Sequence, residues 1–160
     1  MTDPGSAAAL IASLAARGLT LATCESLTGG LVSASLTGVP GSSAVVVGGL
    51  VTYATRLKTQ LAGVDPSVIA ADGVVSRAVA EQMAAGVRTN LGVDLGLACT
   101  GVAGPGPQDG VAAGTVWIAV ASASGVRSER LVVPGDRETV RATTVAALIE
   151  LTQRSVTADP

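Results

Sequence analysis

The chain has 160 residues, a formal net charge of −2 and no histidine. The lack of histidine excludes Ser-His-Asp and Cys-His catalysis, and two cysteines alone cannot complete an ordinary zinc site, so no metal is expected. No Lys/Arg-rich block supplies the basic footprint for nucleic-acid binding, and no run reaches the ~18 apolar residues of a membrane span. We therefore expect a cytoplasmic protein that binds neither nucleic acid nor a membrane. Cys24 and Cys99 are expected to be small buried thiols.

Apolar periodicity and turn residues predict the elements along the chain. In chain order these are a helix (6–17), a strand (19–24), a turn (25–30), a helix (31–36), a strand (44–53), a helix (55–61), a turn (65–66), a helix (76–91), a strand (94–100), a loop (101–113), two strands of a hairpin (114–121, 126–133) and a helix (136–152). Gly48 and Gly49 interrupt the second strand and indicate a bulge or a close backbone approach.

Helices and strands alternate at first, and the chain ends with a hairpin and a helix. This order is typical of the α/β class, and we predict a three-layer α/β/α sandwich in which helices cover both faces of a mixed sheet. The length fits one domain over residues 1–160. The tail after Ser155 is predicted to be frayed.

The predicted turn after the first strand carries hydroxyls and glycines. Ser26, Thr28, Gly29 and Gly30 precede a helix, where hydroxyl and N–H groups can hold an anion or an oxyanion. The alternative is an ordinary helix cap with a tight turn. A second serine, Ser43, follows a Pro-Gly loop and precedes an apolar strand, where it could be a nucleophile or a turn residue.

Lys58 is the only lysine, beside nine arginines. A desolvated lysine can lose its proton and act as a base, which arginine cannot do. Because no histidine is present, Ser plus Lys is the remaining base-activated nucleophile. Tyr53, the only tyrosine, is five residues upstream and could relay a proton. The alternative is that Lys58 is an ordinary exposed helix residue.

Two later segments could hold a ligand. Thr100 and Gly101 follow a buried strand, where α/β domains build their sites. Arg137 opens the last helix after Asp136 and could pair with a phosphate. A plain Gly/Pro connector and an exposed helix-start arginine are the alternatives.

Eight short blocks occur in an order that resembles the C-terminal domain of the competence/damage-inducible protein CinA. They are Glu25-Ser26-Leu27-Thr28-Gly29-Gly30, Pro40-Gly41-Ser42-Ser43-Ala44, Val51-Thr52-Tyr53 with Lys58, Gly63-Val64, Gly73-Val74-Val75-Ser76, Thr100-Gly101-Val102-Ala103-Gly104-Pro105, Gly114-Thr115-Val116 and Gly135-Asp136-Arg137. The resemblance runs from about residue 19 to residue 148.

The resemblance implies an amidase that converts nicotinamide mononucleotide into nicotinate mononucleotide and ammonia without a cofactor. It also implies a small-molecule nucleotide ligand and a homo-oligomer.

Carried over to this chain, Ser43 is the nucleophile, Lys58 its base and Tyr53 an aid to proton transfer, with Ser26 as the alternative nucleophile. Substrate contacts are assigned to Ser26, Thr28, Gly29, Gly30, Thr100, Gly101 and Arg137, the last of which holds the phosphate.

The chain departs from the family pattern at three places. Leu27 replaces the usual cysteine of the Glu-Ser-Cys-Thr-Gly-Gly block, Thr55-Arg56 replaces an Asn-Glu pair, and residues 106–113 lack a Lys-Pro pair. The last departure could change affinity or substrate choice. The competing hypotheses are a catalytically silent nucleotide-binding module and an amidase for another phosphorylated amide.

Overall fold

The computed structural model describes residues 4–158, in which six α-helices alternate with or flank five strands. The elements are α1 (Pro4–Arg17), β1 (Leu21–Glu25), α2 (Leu31–Thr37), a 3-10 turn (Ser42–Ala44), β2 (Val46–Val51), α3 (Thr55–Ala62), α4 (Pro66–Asp72), α5 (Arg77–Leu91), β3 (Leu95–Gly101), β4 (Thr115–Ser122), β5 (Gly125–Val132) and α6 (Arg137–Ala158). None of the helices in this described range is long and apolar enough to cross a bilayer.

The strands form one mixed sheet in the order β2-β1-β3-β4-β5. β1 is parallel to both β2 and β3, whereas the β3–β4 and β4–β5 pairs are antiparallel. The carboxyl ends of β1, β2 and β3 therefore meet at one edge of the sheet, which is where ligand sites of α/β domains are built.

Two apolar clusters cover the two faces of the sheet, which confirms the three-layer sandwich. α1, α2 and α6 pack on one face and α3, α4 and α5 on the other. Neighbouring residues of a strand belong to opposite clusters, as Leu97 and Ala98 do, because strand side chains alternate between faces. Small side chains bring α5 close to the sheet: a Cβ on Gly96 would lie 2.0 Å from the Ala84 carbonyl oxygen.

Two segments differ from the sequence prediction. α4 occupies a region for which the sequence predicts only a turn, and the Asp65 carboxylate caps it by accepting from the Ser67 N–H at 2.8 Å. α6 continues into the tail that is predicted to be frayed, as far as Ala158, and residues 159 and 160 of that tail lie outside the described residues. Ser155 and Val156 are buried in it, and burial of this last part of the helix explains why it does not fray.

The expected irregularity in β2 is present. Leu21 pairs with Val46 and Ala22 with Gly48, so Val47 forms a bulge. A Cβ on Gly49 would lie 2.4 Å from Ser33 Oγ. Both the bulge and the close approach are thus confirmed, and they bring α2 against β2 beside the end of β1.

Candidate active site

A cavity of about 390 Å³ opens at the carboxyl ends of the parallel strands. Its wall is formed by the turn after β1, the start of α3, the segment before α5, the loop after β3 and the start of α6. Arg137, together with the buried Lys58, supplies the basic groups among its described lining residues, which include no Asp or Glu. The cavity therefore suits an anionic ligand.

Ser26 and Lys58 form the reactive pair in this cavity. Lys58 Nζ donates to Ser26 Oγ at 3.0 Å and to the Thr52 carbonyl oxygen at 2.7 Å. Ser26 is 8% exposed and Lys58 only 1%. Lys58 is thus a buried residue in contact with a serine hydroxyl, and its alternative interpretation as an exposed helix residue is wrong.

The environment of Lys58 favours its neutral form. Burial lowers the pKa of Lys58 below its ordinary value of 10.5, because the charged amine loses its hydration. A neutral amine has two N–H donors and one lone pair. In this form one N–H can stay on the Thr52 carbonyl while the bond to Ser26 reverses, so that the lone pair accepts the Ser26 proton.

The two cysteines are not alternative nucleophiles. Burial raises the pKa of Cys24 to about 11 and that of Cys99 to about 12, and reactivity needs the thiolate form. Both are free and buried. They are small core thiols, as the sequence predicts.

Glu25 fixes the turn that follows β1. Its carboxylate is fully buried. It accepts from the Thr28 hydroxyl at 2.6 Å and from the N–H groups of Gly30, Val32 and Ser33 at 3.1, 3.0 and 2.8 Å. These donors include the free N–H groups at the start of α2, which need acceptors. Glu25 therefore determines the path of the backbone just after Ser26.

The expectation that Thr28, Gly29 and Gly30 contact substrate needs correction. None of the three lines the cavity. The Thr28 hydroxyl donates to Glu25 instead. Gly29 and Gly30 have φ values of +60° and +99°, a region that glycine adopts without strain. These residues shape the turn rather than the ligand-binding surface.

Ser43 is not brought to the cavity. It is exposed in the 3-10 turn before β2, whereas Tyr53 and Lys58 follow the other end of that strand. Six extended residues span roughly 20 Å. The prediction that Ser43 pairs with Lys58 is therefore wrong, and Ser26, the alternative nucleophile, takes that position.

Tyr53 and Arg137 both line the cavity and contact each other. Arg137 donates from Nη2 to the Tyr53 hydroxyl at 3.2 Å and from Nη1 to the Gly104 carbonyl at 3.0 Å. The Asp136 carboxylate caps the same helix by accepting from the Thr139 N–H at 2.8 Å. The hydroxyl of Tyr53 thus contacts a guanidinium rather than the Ser26–Lys58 pair, which gives the expected proton relay no geometric support.

Thr100 and Gly101 line the cavity, as expected for residues at the end of β3. The Thr100 hydroxyl donates to the Val74 carbonyl at 2.9 Å, so it ties the segment before α5 to the sheet. A Cβ on Gly101 would lie 2.8 Å from the Thr115 carbonyl oxygen. Glycine is needed here because β4 packs closely against this position.

The loop after β3 also borders the cavity. Gly106, Pro107 and Gln108 line it, and a bridge between Gln108 and Val111 closes the tip of the loop. The segment without the Lys-Pro pair therefore reaches the ligand-binding surface, where it can affect ligand choice.

Sequence reasoning missed two contributors to the site. One is the Thr52 carbonyl, which accepts from Lys58; a backbone group has no signal in the sequence. The other is Arg141, which donates to the carbonyl oxygens of Leu27 at 3.1 Å and Thr28 at 2.9 Å. Its spacing of four residues from Arg137 places both arginines on one helix face, and that spacing was the available signal.

The comparisons with known proteins agree with this fold. The family model of the CinA C-terminal domain matches residues 5–156 of this chain. A CinA-like protein from Frankia casuarinae is 46% identical over 147 residues, which make up 92% of this chain and 34% of that protein. The chain spans about a third of the length of the curated relatives it matches.

Solved structures of similar length have the same fold. A competence-damaged protein (CinA) superfamily protein from Klebsiella pneumoniae has a TM-score of 0.93 at 31% identity, covering 97% of this chain and 98% of that chain. The competence/damage inducible protein CihA from Agrobacterium tumefaciens has a TM-score of 0.91 at 32% identity, covering 98% of each chain.

Proposed function

This chain belongs to the CinA C-terminal domain family, and on that premise we propose that it is an amidase that hydrolyses nicotinamide mononucleotide to nicotinate mononucleotide and ammonia. The observation that carries the proposal is the 3.0 Å contact between Lys58 Nζ and Ser26 Oγ inside the cavity. A buried lysine in contact with a serine is the arrangement that activates a hydroxyl without histidine.

The first half of the reaction forms an ester on Ser26. Neutral Lys58 takes the hydroxyl proton as Ser26 Oγ attacks the carboxamide carbon. The charge develops on the carbonyl oxygen, and we assign the backbone N–H of Leu27, a cavity-lining residue next to the nucleophile, as a donor to it. Lys58 then gives its proton to the amide nitrogen, the C–N bond breaks and ammonia leaves.

The second half restores the enzyme. Lys58, neutral again, takes a proton from a water molecule that attacks the ester carbon. The bond to Ser26 Oγ breaks, and the proton returns from Lys58 to that oxygen. The product is a carboxylic acid, so one amide and one water give one acid and one ammonia.

Arg137 is the residue to which we assign the phosphate of the substrate. It reaches the cavity from the start of α6, and its bonds to Tyr53 and Gly104 hold the guanidinium at the wall. Guanidinium groups bind phosphate oxygens through paired N–H donors. The lack of Asp and Glu among the described lining residues supports an anionic substrate.

The competing hypotheses make different demands on the site. A silent nucleotide-binding module has no use for a buried lysine beside a serine, since a buried ionisable group destabilises the fold. The Ser26–Lys58 contact therefore favours an enzyme. An amidase for another phosphorylated amide would use the same Arg137 and the same reactive pair, and only a comparison of substrates separates it from our proposal.

The test is a comparison of three amides with the purified protein: nicotinamide mononucleotide, nicotinamide riboside and nicotinamide. We expect ammonia and nicotinate mononucleotide from the first and far slower turnover of the two that lack phosphate. Equal rates on all three would overturn the role of the phosphate. Binding of the mononucleotide without ammonia release would favour the silent module. If the protein neither binds nor hydrolyses the mononucleotide, a different amide is the substrate.

A further inference from the structure

Arg141 holds the backbone that carries Ser26, although it does not line the cavity. It lies on α6, one helical turn beyond Arg137, and is half-buried. Its Nε donates to the Leu27 carbonyl at 3.1 Å and its Nη2 to the Thr28 carbonyl at 2.9 Å. Two donors of one rigid planar group thus bind two successive peptide groups.

These bonds complete the set of contacts that fixes the turn. The Gly29 N–H donates to the Ser26 carbonyl at 3.1 Å and closes the turn. Glu25 holds the Thr28 side chain and the start of α2 from the inside. Arg141 binds the Leu27 and Thr28 carbonyls from α6, so separate side chains restrain the carbonyls and the N–H groups of the turn.

The charge of Arg141 is used for these carbonyls rather than for an ion pair. The two ion pairs found within residues 4–158 join Arg77 to Glu81 and Arg154 to Glu129. Hydrogen bonds from a charged donor are stronger than those between neutral groups. A partly buried guanidinium that donates only to backbone carbonyls has a restraining role in the turn.

We infer that Arg141 is a positioning residue, which keeps Ser26 Oγ against Lys58 Nζ by fixing the Leu27–Thr28 peptide. The inference rests on the proposed role of Ser26 as the nucleophile. Without the two bonds the turn gains freedom, and Ser26 Oγ moves away from the amine for part of the time. Small losses of alignment between reacting groups reduce the rate strongly.

The kinetic test uses Arg141→Gln with Arg154→Gln as the matched control on the same helix. Arg154 pairs with Glu129 on the surface, and such exposed pairs contribute little to stability. For Arg141→Gln we expect kcat for nicotinamide mononucleotide to fall on the order of 10- to 100-fold while KM changes less than about threefold. Arg141→Lys, which keeps the positive charge and can still donate to one carbonyl, is expected to retain more activity. An unchanged kcat, or a change confined to KM, would overturn the inference.

A second measurement does not depend on the substrate. Because Lys58 is the only lysine, protein labelled with [13Cε]lysine gives one resonance, whose titration reports the surroundings of Nζ. We expect Arg141→Gln to shift the pKa read from this titration in the same direction as Ser26→Ala does. Arg154→Gln is expected to leave that pKa unchanged. An unshifted Lys58 titration in folded Arg141→Gln would overturn the inference. If the wild type released no ammonia but the titration shifted, the proposed function would fail and the positioning role would stand.

Discussion

Lys58 Nζ donates to Ser26 Oγ at 3.0 Å across 32 positions of the chain. The contact exists because β1 and β2 are parallel neighbours. Ser26 follows the end of β1, and Lys58 lies in α3, just beyond the end of β2. The reactive pair is thus a product of the sheet topology.

Lys58→Arg is expected to abolish amidase activity in a protein that still folds. Arginine keeps the charge but cannot lose a proton at neutral pH. Ammonia release from nicotinamide mononucleotide measures the activity, and circular dichroism shows the fold. Arg56→Lys, an exposed change on the same helix, is the control. Activity of Lys58→Arg within about threefold of the wild type would contradict a base role.

Lys58→Met is expected to raise the free energy of unfolding at neutral pH by about 1 to 3 kcal/mol, since an apolar side chain of similar length replaces a buried ionisable group. Burial lowers the pKa of Lys58 in the folded protein, whereas the unfolded chain keeps the ordinary value of 10.5. Between these two values the unfolded chain binds more protons, so wild-type stability rises with pH there. The difference between variant and wild type should therefore narrow as the pH is raised.

Urea unfolding of both proteins over a series of pH values measures this difference. A gap that widens with rising pH would show that Lys58 is stabilised in its charged form.

Arg137→Gln is expected to raise KM for nicotinamide mononucleotide roughly 10- to 100-fold, the range expected for lost hydrogen bonds to a charged group. The turnover of nicotinamide riboside should be unaffected, because it has no phosphate. Steady-state kinetics on both substrates measure the two effects. The idea fails if both substrates are affected equally.

Glu25→Gln is expected to lower the free energy of unfolding by about 2 to 3 kcal/mol, because a buried charged acceptor is lost and an NH₂ group then faces N–H donors. Glu25 accepts four hydrogen bonds of 3.1 Å or less in a fully buried position. Glu150→Gln, at an exposed position on α6, is the control for the same chemical change. Equal stability of the two variants in urea would show that the Glu25 bonds contribute little.

Much of the fold could be predicted because its signals are local. Apolar periodicity located α1, α5 and the strands, and Ser76 and Asp136 cap their helices as expected, each accepting from a backbone N–H three residues on. α4 was missed although Asp65-Pro66 is a helix-start signal, because the helix has no fully buried residue and hence only a weak apolar pattern.

The site was predictable in part. Lys58 stood out as the single lysine, and Thr100, Gly101 and Arg137 line the cavity as expected. The choice between Ser43 and Ser26 depended on the strand directions. Ser43 precedes β2 and Lys58 follows it, so these two residues lie at opposite ends of the sheet, whereas Ser26 follows the parallel strand β1. The spacing of Arg141 from Arg137 placed it on the same helix face, but its role could not be predicted, because its partners are carbonyl groups more than one hundred residues away.

The most direct test of the central claim is ammonia release from nicotinamide mononucleotide by wild type, Ser26→Ala and Ser43→Ala. Both variants remove one hydroxyl, but only Ser26 contacts Lys58. We expect Ser43→Ala to match the wild type and Ser26→Ala to lose activity by a factor on the order of 1,000 or more. Full activity in Ser26→Ala together with loss in Ser43→Ala would contradict the account.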